Sequence, residues 1–160
     1  MDEKAQSFDS KGIRIRSMCR GDLDAVLEID AQIIGGERST SWSENVVDVL
    51  AGGMTSACLV AELDGKVLGF LIGDIKGFEY GLPRGGWIDI MGVSPRHQRL
   101  GIGAVLVQAF HDHCHKQGVE KMYLLARRGD ERIESFFGTL GFGDSGYEVL
   151  DRSLDQAESS

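Results

Sequence analysis

Between Ile13 and Leu150 the spacing of apolar positions changes repeatedly, and each change predicts a new element. Residues 13–18, IRIRSM, alternate as a half-buried strand does. Leu23, Val26, Leu27, Ala31 and Ile34 then recur at three- and four-residue steps and predict a helix, which Gly35-Gly36 end. Ser41 and Glu44 stand as in a capping box, ahead of a second helix carrying Val46, Val47 and Leu50. ACLVAEL and KVLGFLIGDI, joined by Asp64-Gly65, predict a tight hairpin. The second run is apolar on both faces, so it belongs inside a sheet. The Gly-rich loop KGFEYGLPRGG leads to a strand over 87–93. A helix with Ile102, Val105, Leu106, Ala109 and Phe110 follows, then a strand over 121–125. A last helix carries Ile133, Phe136, Phe137 and Leu140 and stops at Gly141, and 142–150 supply one or two final strands. The order β-α-α-β-β-β-α-β-α-β predicts a mixed sheet with helices packed on it. Residues 1–10 and 153–160 lack this periodicity and are expected to be frayed tails around one domain, 11–152.

Composition narrows the classes. The chain has 160 residues, 42% hydrophobic and 26% charged, enough for a real core. No apolar run approaches the roughly 20 residues that span a bilayer, and the polar start MDEKAQSFDSKG is unlike a secretory signal, so no membrane partner is expected. Cys19, Cys58 and Cys114 lack metal-like or disulfide-like spacing, which fits a reducing cytoplasm. A pI of about 4.9 argues against bulk nucleic-acid binding.

Against this acidic background, VSPRHQRLGIGAVLVQAF is locally cationic. No Asp or Glu lies between Asp89 and Asp112, whereas Arg96 and Arg99 are both present. Helix N-termini present unpaired N–H groups and a positive dipole end, and glycine admits a bulky anion to the backbone. A dinucleotide-binding turn needs Gly or Ala where Leu106 stands, and no P-loop string exists. The bland alternative is an ordinary strand-to-helix connection with solvated arginines.

What remains is Q-x-x-G-x-G from Gln98 to Gly103, after a strand and a Ser-Pro turn. This resembles the acetyl-CoA signature of the GNAT superfamily of N-acetyltransferases. MGVSP resembles the family's pantetheine-holding strand, and FFGTLGF its closing F-Y-x-x-x-G-F motif. The resemblance spans about Ile13 to Leu150. It implies an α/β (mixed α+β) fold whose central, mostly antiparallel sheet has about six or seven strands flanked by about four helices. It implies acetyl-CoA as co-substrate, its diphosphate held at Gln98, Arg99, Leu100, Gly101, Ile102, Gly103 and Ala104. Met91, Gly92 and Val93 would bond the pantetheine arm where a bulge splays the strand, and Gly92 suits such a bulge or a close backbone approach. Two positions depart from the family. Phe137 stands where a Tyr usually protonates the leaving thiolate, and Asp130 replaces an Asn that often touches CoA. Ser135 or Tyr123 could assist through water.

Asp89 is the single charge of its strand, and alternation puts it on the face of Trp87 and Met91. An acceptor amine with a pKa of about 10.4 is protonated at neutral pH, so a base must free its lone pair. Asp89, its pKa raised by burial, is the first candidate and Glu79 the second; a simple ion-paired carboxylate is the other reading of Asp89. HDHCH places His111 and His115 on one helical face, but a helix C-terminus suits them without metal, and none is expected. GGERSTSW, around Trp42, and the loop with Phe78, Glu79 and Tyr80 would face an amine-bearing small molecule or protein. A homodimer is a further partner to consider. Phe137 keeps a second reading open, a catalytically weak acyl-CoA-binding regulatory module, and a phosphate-binding protein unrelated to CoA is a third.

Overall fold

Six strands make one sheet in simple sequence order: β1 (Ser7–Phe8), β2 (Arg14–Ser17), β3 (Ser56–Leu63), β4 (Lys66–Lys76), β5 (Gly85–Val93) and β6 (Met122–Leu124). The computed structural model describes residues 7–8, 12–36, 44, 48, 50, 56–77 and 80–156. They fall into two compact units, Met1–Leu125 and Ala126–Ser160. Every neighbouring pair is antiparallel except β5 with β6, which is parallel. A parallel pair needs a long crossover, and helix α2 (Ile102–Lys116) supplies it. Helix α1 (Leu23–Ile34) precedes β3. The mixed α/β class and mostly antiparallel sheet are those expected. Of the second predicted helix, Glu44, Asp48 and Leu50 are helical; Ser41, Val46 and Val47 lie outside the described residues.

Asp64 and Gly65 both take left-handed φ, +51° and +79°, as a two-residue hairpin turn with matching strand twist requires. Strand β4 is central, paired to β3 and β5 along its length, which explains its two apolar faces. On one face, Phe70 and Ile72 join Val60, Met18, Val26 and Ile29 in a buried cluster beneath α1. The buried stripe of α1 is Val26, Ile29 and Asp30, while Ile34 is exposed, so the helix is rotated from the phase its Leu and Ile spacing suggested. On the other face α2 buries Ile102, Leu106, Val107, Phe110 and Cys114.

That second face is cut from glycines. A Cβ built on Gly73 would stand 2.7 Å from the Phe110 ring and from the Trp87 carbonyl, and one on Gly86 would collide with Cys114 Sγ. The lack of side chains is what lets α2 lie close. β5 starts at Gly85 rather than at Trp87 because close neighbours demand glycine there: Gly85 lies against the Tyr123 ring and the Lys121 carbonyl, and Gly86 against Cys114 and Phe110 of α2.

Three terminal expectations change. Ser7 and Phe8 pair with Ile15 and Arg14, so part of the first ten residues joins the sheet through backbone bonds that need no apolar pattern. In the second unit, α3 (Glu131–Thr139) ends as expected, with Gly141 at φ +92° and the Phe142 N–H donating to the Phe137 carbonyl. Residues 142–150, however, form no strand. Asp144 Oδ1 accepts from the Gly146 N–H and Ser145 Oγ from the Tyr147 N–H, so side chains capture backbone groups that a ladder would use. Leu154–Gln156 form a short 3₁₀ turn.

An ionic network ties β2 to β3. Arg16 forks onto Asp22 at 2.8 and 2.9 Å and donates to Glu62 at 3.0 Å, and Arg14 donates to Glu62 at 3.1 Å. The guanidinium, together with the Cys19 N–H and thiol, holds the buried Asp22 carboxyl down from 3.8 to about 2, although burial alone would raise it. A folded-state value below the unfolded one stabilises fully above about pH 4 and is lost as pH falls through about 2. Urea melts should therefore show wild type ahead of Asp22→Asn by about 2 kcal/mol at pH 7, with the gap narrowing between pH 4 and pH 2. Gly73→Ala should cost about 1–3 kcal/mol in the same melts, because neither the Phe110 ring nor the Trp87 carbonyl has room to yield.

Candidate active site

The glycine-punctuated turn is built by local bonds. The Ser94 N–H donates to the Leu68 carbonyl at 2.8 Å, returning β5 to β4, and His97 N–H donates to the Ser94 carbonyl at 2.8 Å in the 3₁₀ turn Pro95–His97. Arg99 then takes φ +69° and Gly101 φ +83° before α2 begins. Left-handed φ is routine for glycine and uncommon for arginine, so Arg99 holds a conformation the local sequence does not favour. Alternating backbone hands of this kind turn successive N–H groups toward one concavity.

The start of α2 contrasts with that of α3. Asp130 caps α3, accepting from the Ile133 N–H at 3.3 Å, and acids fill the first turn. At α2 the cap is Gly101, no side chain caps the helix, and the first turn holds no acid. The first N–H groups of α2 therefore keep both their hydrogen-bonding capacity and their dipole. Gln98, Arg99, Leu100 and Gly101 are exposed, and Gly103 and Ala104 are half-buried. Ile102 points its side chain into the core, so only its backbone could meet a ligand.

β5 leads directly into this turn. It pairs with β6 at Gly86–Met122, Trp87–Tyr123 and Ile88–Leu124, and no further. Past Ile88, β5 keeps β4 on one side and has no strand partner on the other among the described residues. Met91, Gly92 and Val93 lie in this half-paired stretch. The expected splay is present, but the expected bulge is elsewhere. Gly92 sits in register opposite Phe70, and its missing side chain makes way for Ile33, 2.6 Å from a built Cβ, and for the Phe70 ring at 3.0 Å.

The irregularity falls instead at Asp89. Ile88 pairs with Gly73 and Ile90 with Ile72, leaving Asp89 as the extra residue. The insertion breaks the alternation: Trp87 and Ile90 lie on the α1 face, and Met91, opposite Leu71, on the α2 face. Asp89 thus does not share Met91's face, and it is exposed rather than buried. Its Oδ1 accepts from Lys76 Nζ at 2.8 Å, and that ammonium stands 5.7 Å from the Trp87 ring centroid. Tyr80 meets Trp87 edge-on at 5.2 Å, and Tyr123 stacks on it at 5.0 Å with its buried hydroxyl unpartnered among the described residues. Cys58 lies on this face too; burial first, then Asp74 and Asp89, push its thiol up to about 11.

Lys76, Trp87 and Asp74 were not singled out from sequence. The hairpin geometry carried a signal for Lys76, since strands joined by a short loop bring the end of one beside the start of the next. The length of its stem, which carries the ammonium past Trp87, carried none. Glu79, Phe78 and Trp42 lie outside the described residues. Asp130 and Phe137 belong to the second unit, where Asp130 serves as the helix cap and Phe137 is buried edge-on against Phe136 and Phe142 at 4.9 and 5.4 Å. Of the histidines, His111 and His115 stack with centroids 6.4 Å apart, while His113 lies against Phe110 and Cys114 is buried. No group of three potential metal ligands gathers among the described residues.

No protein of curated function matches the chain by sequence. Among solved structures, AAC(6')-Iy in complex with a CoA–acetylneamine bisubstrate analogue aligns with TM-score 0.77 at 18% identity, over 88% of this chain and 97% of that one. The aminoglycoside 6'-N-acetyltransferase AAC(6')-Ih from Acinetobacter baumannii aligns with TM-score 0.77 at 16% identity, covering 89% and 98%. A putative acetyltransferase from Agrobacterium tumefaciens aligns with TM-score 0.73 at 18% identity, covering 87% and 99%. These likenesses establish a shared fold. Residues 24–142 match the model of the acetyltransferase (GNAT) family. The chain belongs to that family.

Proposed function

We infer that the protein transfers the acetyl group of acetyl-CoA to a primary amine, by direct attack within a ternary complex. One observation carries this reading: a helix start free of caps and acids stands at the end of a strand that has lost its neighbour on one side. The N–H groups from Gln98 to Ala104 suit a diphosphate, with Arg99 adding charge. The N–H and C=O groups of Met91 and the N–H of Val93 face away from β4, while those of Gly92 face Phe70. This outward edge suits the amides of a pantetheine arm, which takes the place of a strand.

Acetyl-CoA brings an activated carbonyl and a thiol that leaves readily. The acceptor arrives as an ammonium, and Asp89 is the first candidate to receive its proton, directly or through water. Glu79 remains the second candidate. The freed nitrogen attacks the thioester carbon, and the C–S bond breaks. A thiol with a pKa of about 8.5 departs without an obligatory acid, so Phe137 slows the step rather than forbidding it. Aminoglycosides, for which two of the three structural neighbours above are named, belong in the first panel of amines, and a net charge of −8 favours such cations. The three free cysteines suit a reducing, cytoplasmic setting. A protein amine and a homodimeric state belong to the same proposal.

Phe137 favours the second reading, a module that binds acyl-CoA with little turnover. Titration calorimetry and a thiol-release assay with acetyl-CoA and an amine panel separate the two. Gly103→Glu adds an acid that suits the α2 dipole and repels a diphosphate; CoA affinity should fall at least about tenfold while the melting temperature holds. Asp89→Asn should lower kcat/KM about a hundredfold with CoA affinity unchanged. Absence of CoA binding in calorimetry removes the reading, and binding without turnover of any amine favours the module.

A further inference from the structure

A carboxylate beside aromatic faces is a seat for an ammonium group, and in this protein the seat is already taken. Lys76 Nζ lies 2.8 Å from Asp89 Oδ1 and 5.7 Å from the Trp87 centroid, with Tyr80 edge-on to the same indole. Both pairing side chains are about one-third exposed, at 30% and 36%, so the pair is reachable from solvent. Asp74 lies on the same sheet face, opposite Trp87. Together with Asp89 it leaves this surface one negative charge in excess even with Lys76 in place. Asp89 is also the residue that the bulge re-aims, and bulges commonly redirect a single side chain at a working site.

We propose that Lys76 is an internal stand-in for the acceptor: its ammonium occupies the seat that the substrate's ammonium must take, and the acceptor binds by displacing it. This rests on the reading of Asp89 as the residue facing the acceptor. Lys76 is then a specificity-determining residue. It selects against weak monovalent amines, which gain only what the lysine already supplies. It favours acceptors with further cationic or hydroxyl groups that can make contacts the lysine cannot. The flexible lysine stem leaves at little cost, because a half-exposed ion pair is worth only a few-fold in affinity.

The test pairs kinetics with binding. For an amine that turns over, Lys76→Met should lower KM about two- to fivefold with kcat moving less than KM, and Lys76→Arg, which keeps a cation in place, should resemble wild type. A second measurement does not depend on catalysis. In a Trp42→Phe background, where Trp87 is the remaining tryptophan, indole fluorescence is titrated with butylammonium chloride at constant ionic strength. Lys76→Met should bind butylammonium about two- to fivefold more tightly than wild type. Equal or weaker binding by Lys76→Met, or an unchanged or raised KM, overturns the proposal. Absence of turnover by wild type with every amine overturns the transferase reading instead, and the titration still decides whether the seat is occupied by a competitor.

Discussion

Among the described residues, β5 has strand partners on both sides only as far as Ile88. A sheet normally satisfies every interior strand twice, and a strand that stops halfway leaves a row of donors and acceptors that water or a ligand must complete. The rest of the first unit serves this arrangement. β4 holds β5 in register from one side, the Ser94–Leu68 bond turns the chain back at the strand's end, and α2 departs from that point with its first N–H groups uncapped. On the function proposed above, an amide-rich chain ending in a diphosphate would run along that edge and end at the helix start.

The two faces of β5 divide the labour. Toward α2 the surface is glycine and aliphatic carbon, closely packed and without chemistry. Toward α1 it carries Trp87 and Asp89, beside Asp74 and Lys76 of β4, and there charge and aromatic faces gather. The bulge at Asp89 lets one strand serve both, since it shifts the phase of alternation midway. Residues before it and after it can then meet different neighbours without a break in the ladder with β4. Charge is divided as well. An acidic chain keeps its acids out of the stretch from 90 to 111, which leaves the helix start positive, while carboxylates collect on the opposite face.

Much of this was legible in the residues, and the misreadings share a cause. Asp64-Gly65 and the turn before α2 were readable because their geometry is dictated locally, by left-handed backbone and by absent side chains. The central position of β4 followed from its unbroken apolar run. Gly85 and Gly86 were unreadable as strand, since glycine disfavours strands unless neighbours require the space, and those neighbours, Tyr123 and Lys121 for one and Cys114 and Phe110 for the other, lie far along the chain. The bulge could not be placed, because register is a property of two strands and the sequence shows one at a time. Gly92 was the natural guess; its actual neighbours, Ile33 and Phe70, come from distant segments. Residues 142–150 were expected to supply one or two final strands, while Asp144 and Ser145 were committing the backbone to turns.

The glycine-cut seat beneath α2 has a mechanical consequence. Cys114, whose thiol meets Gly86, lies twelve residues from Ile102 along a rigid rod, about 18 Å at 1.5 Å per residue. A single methyl group introduced at that far end would lever the whole rod and so swing its opposite tip. A substitution at Gly86 would therefore act on a helix start that it never touches.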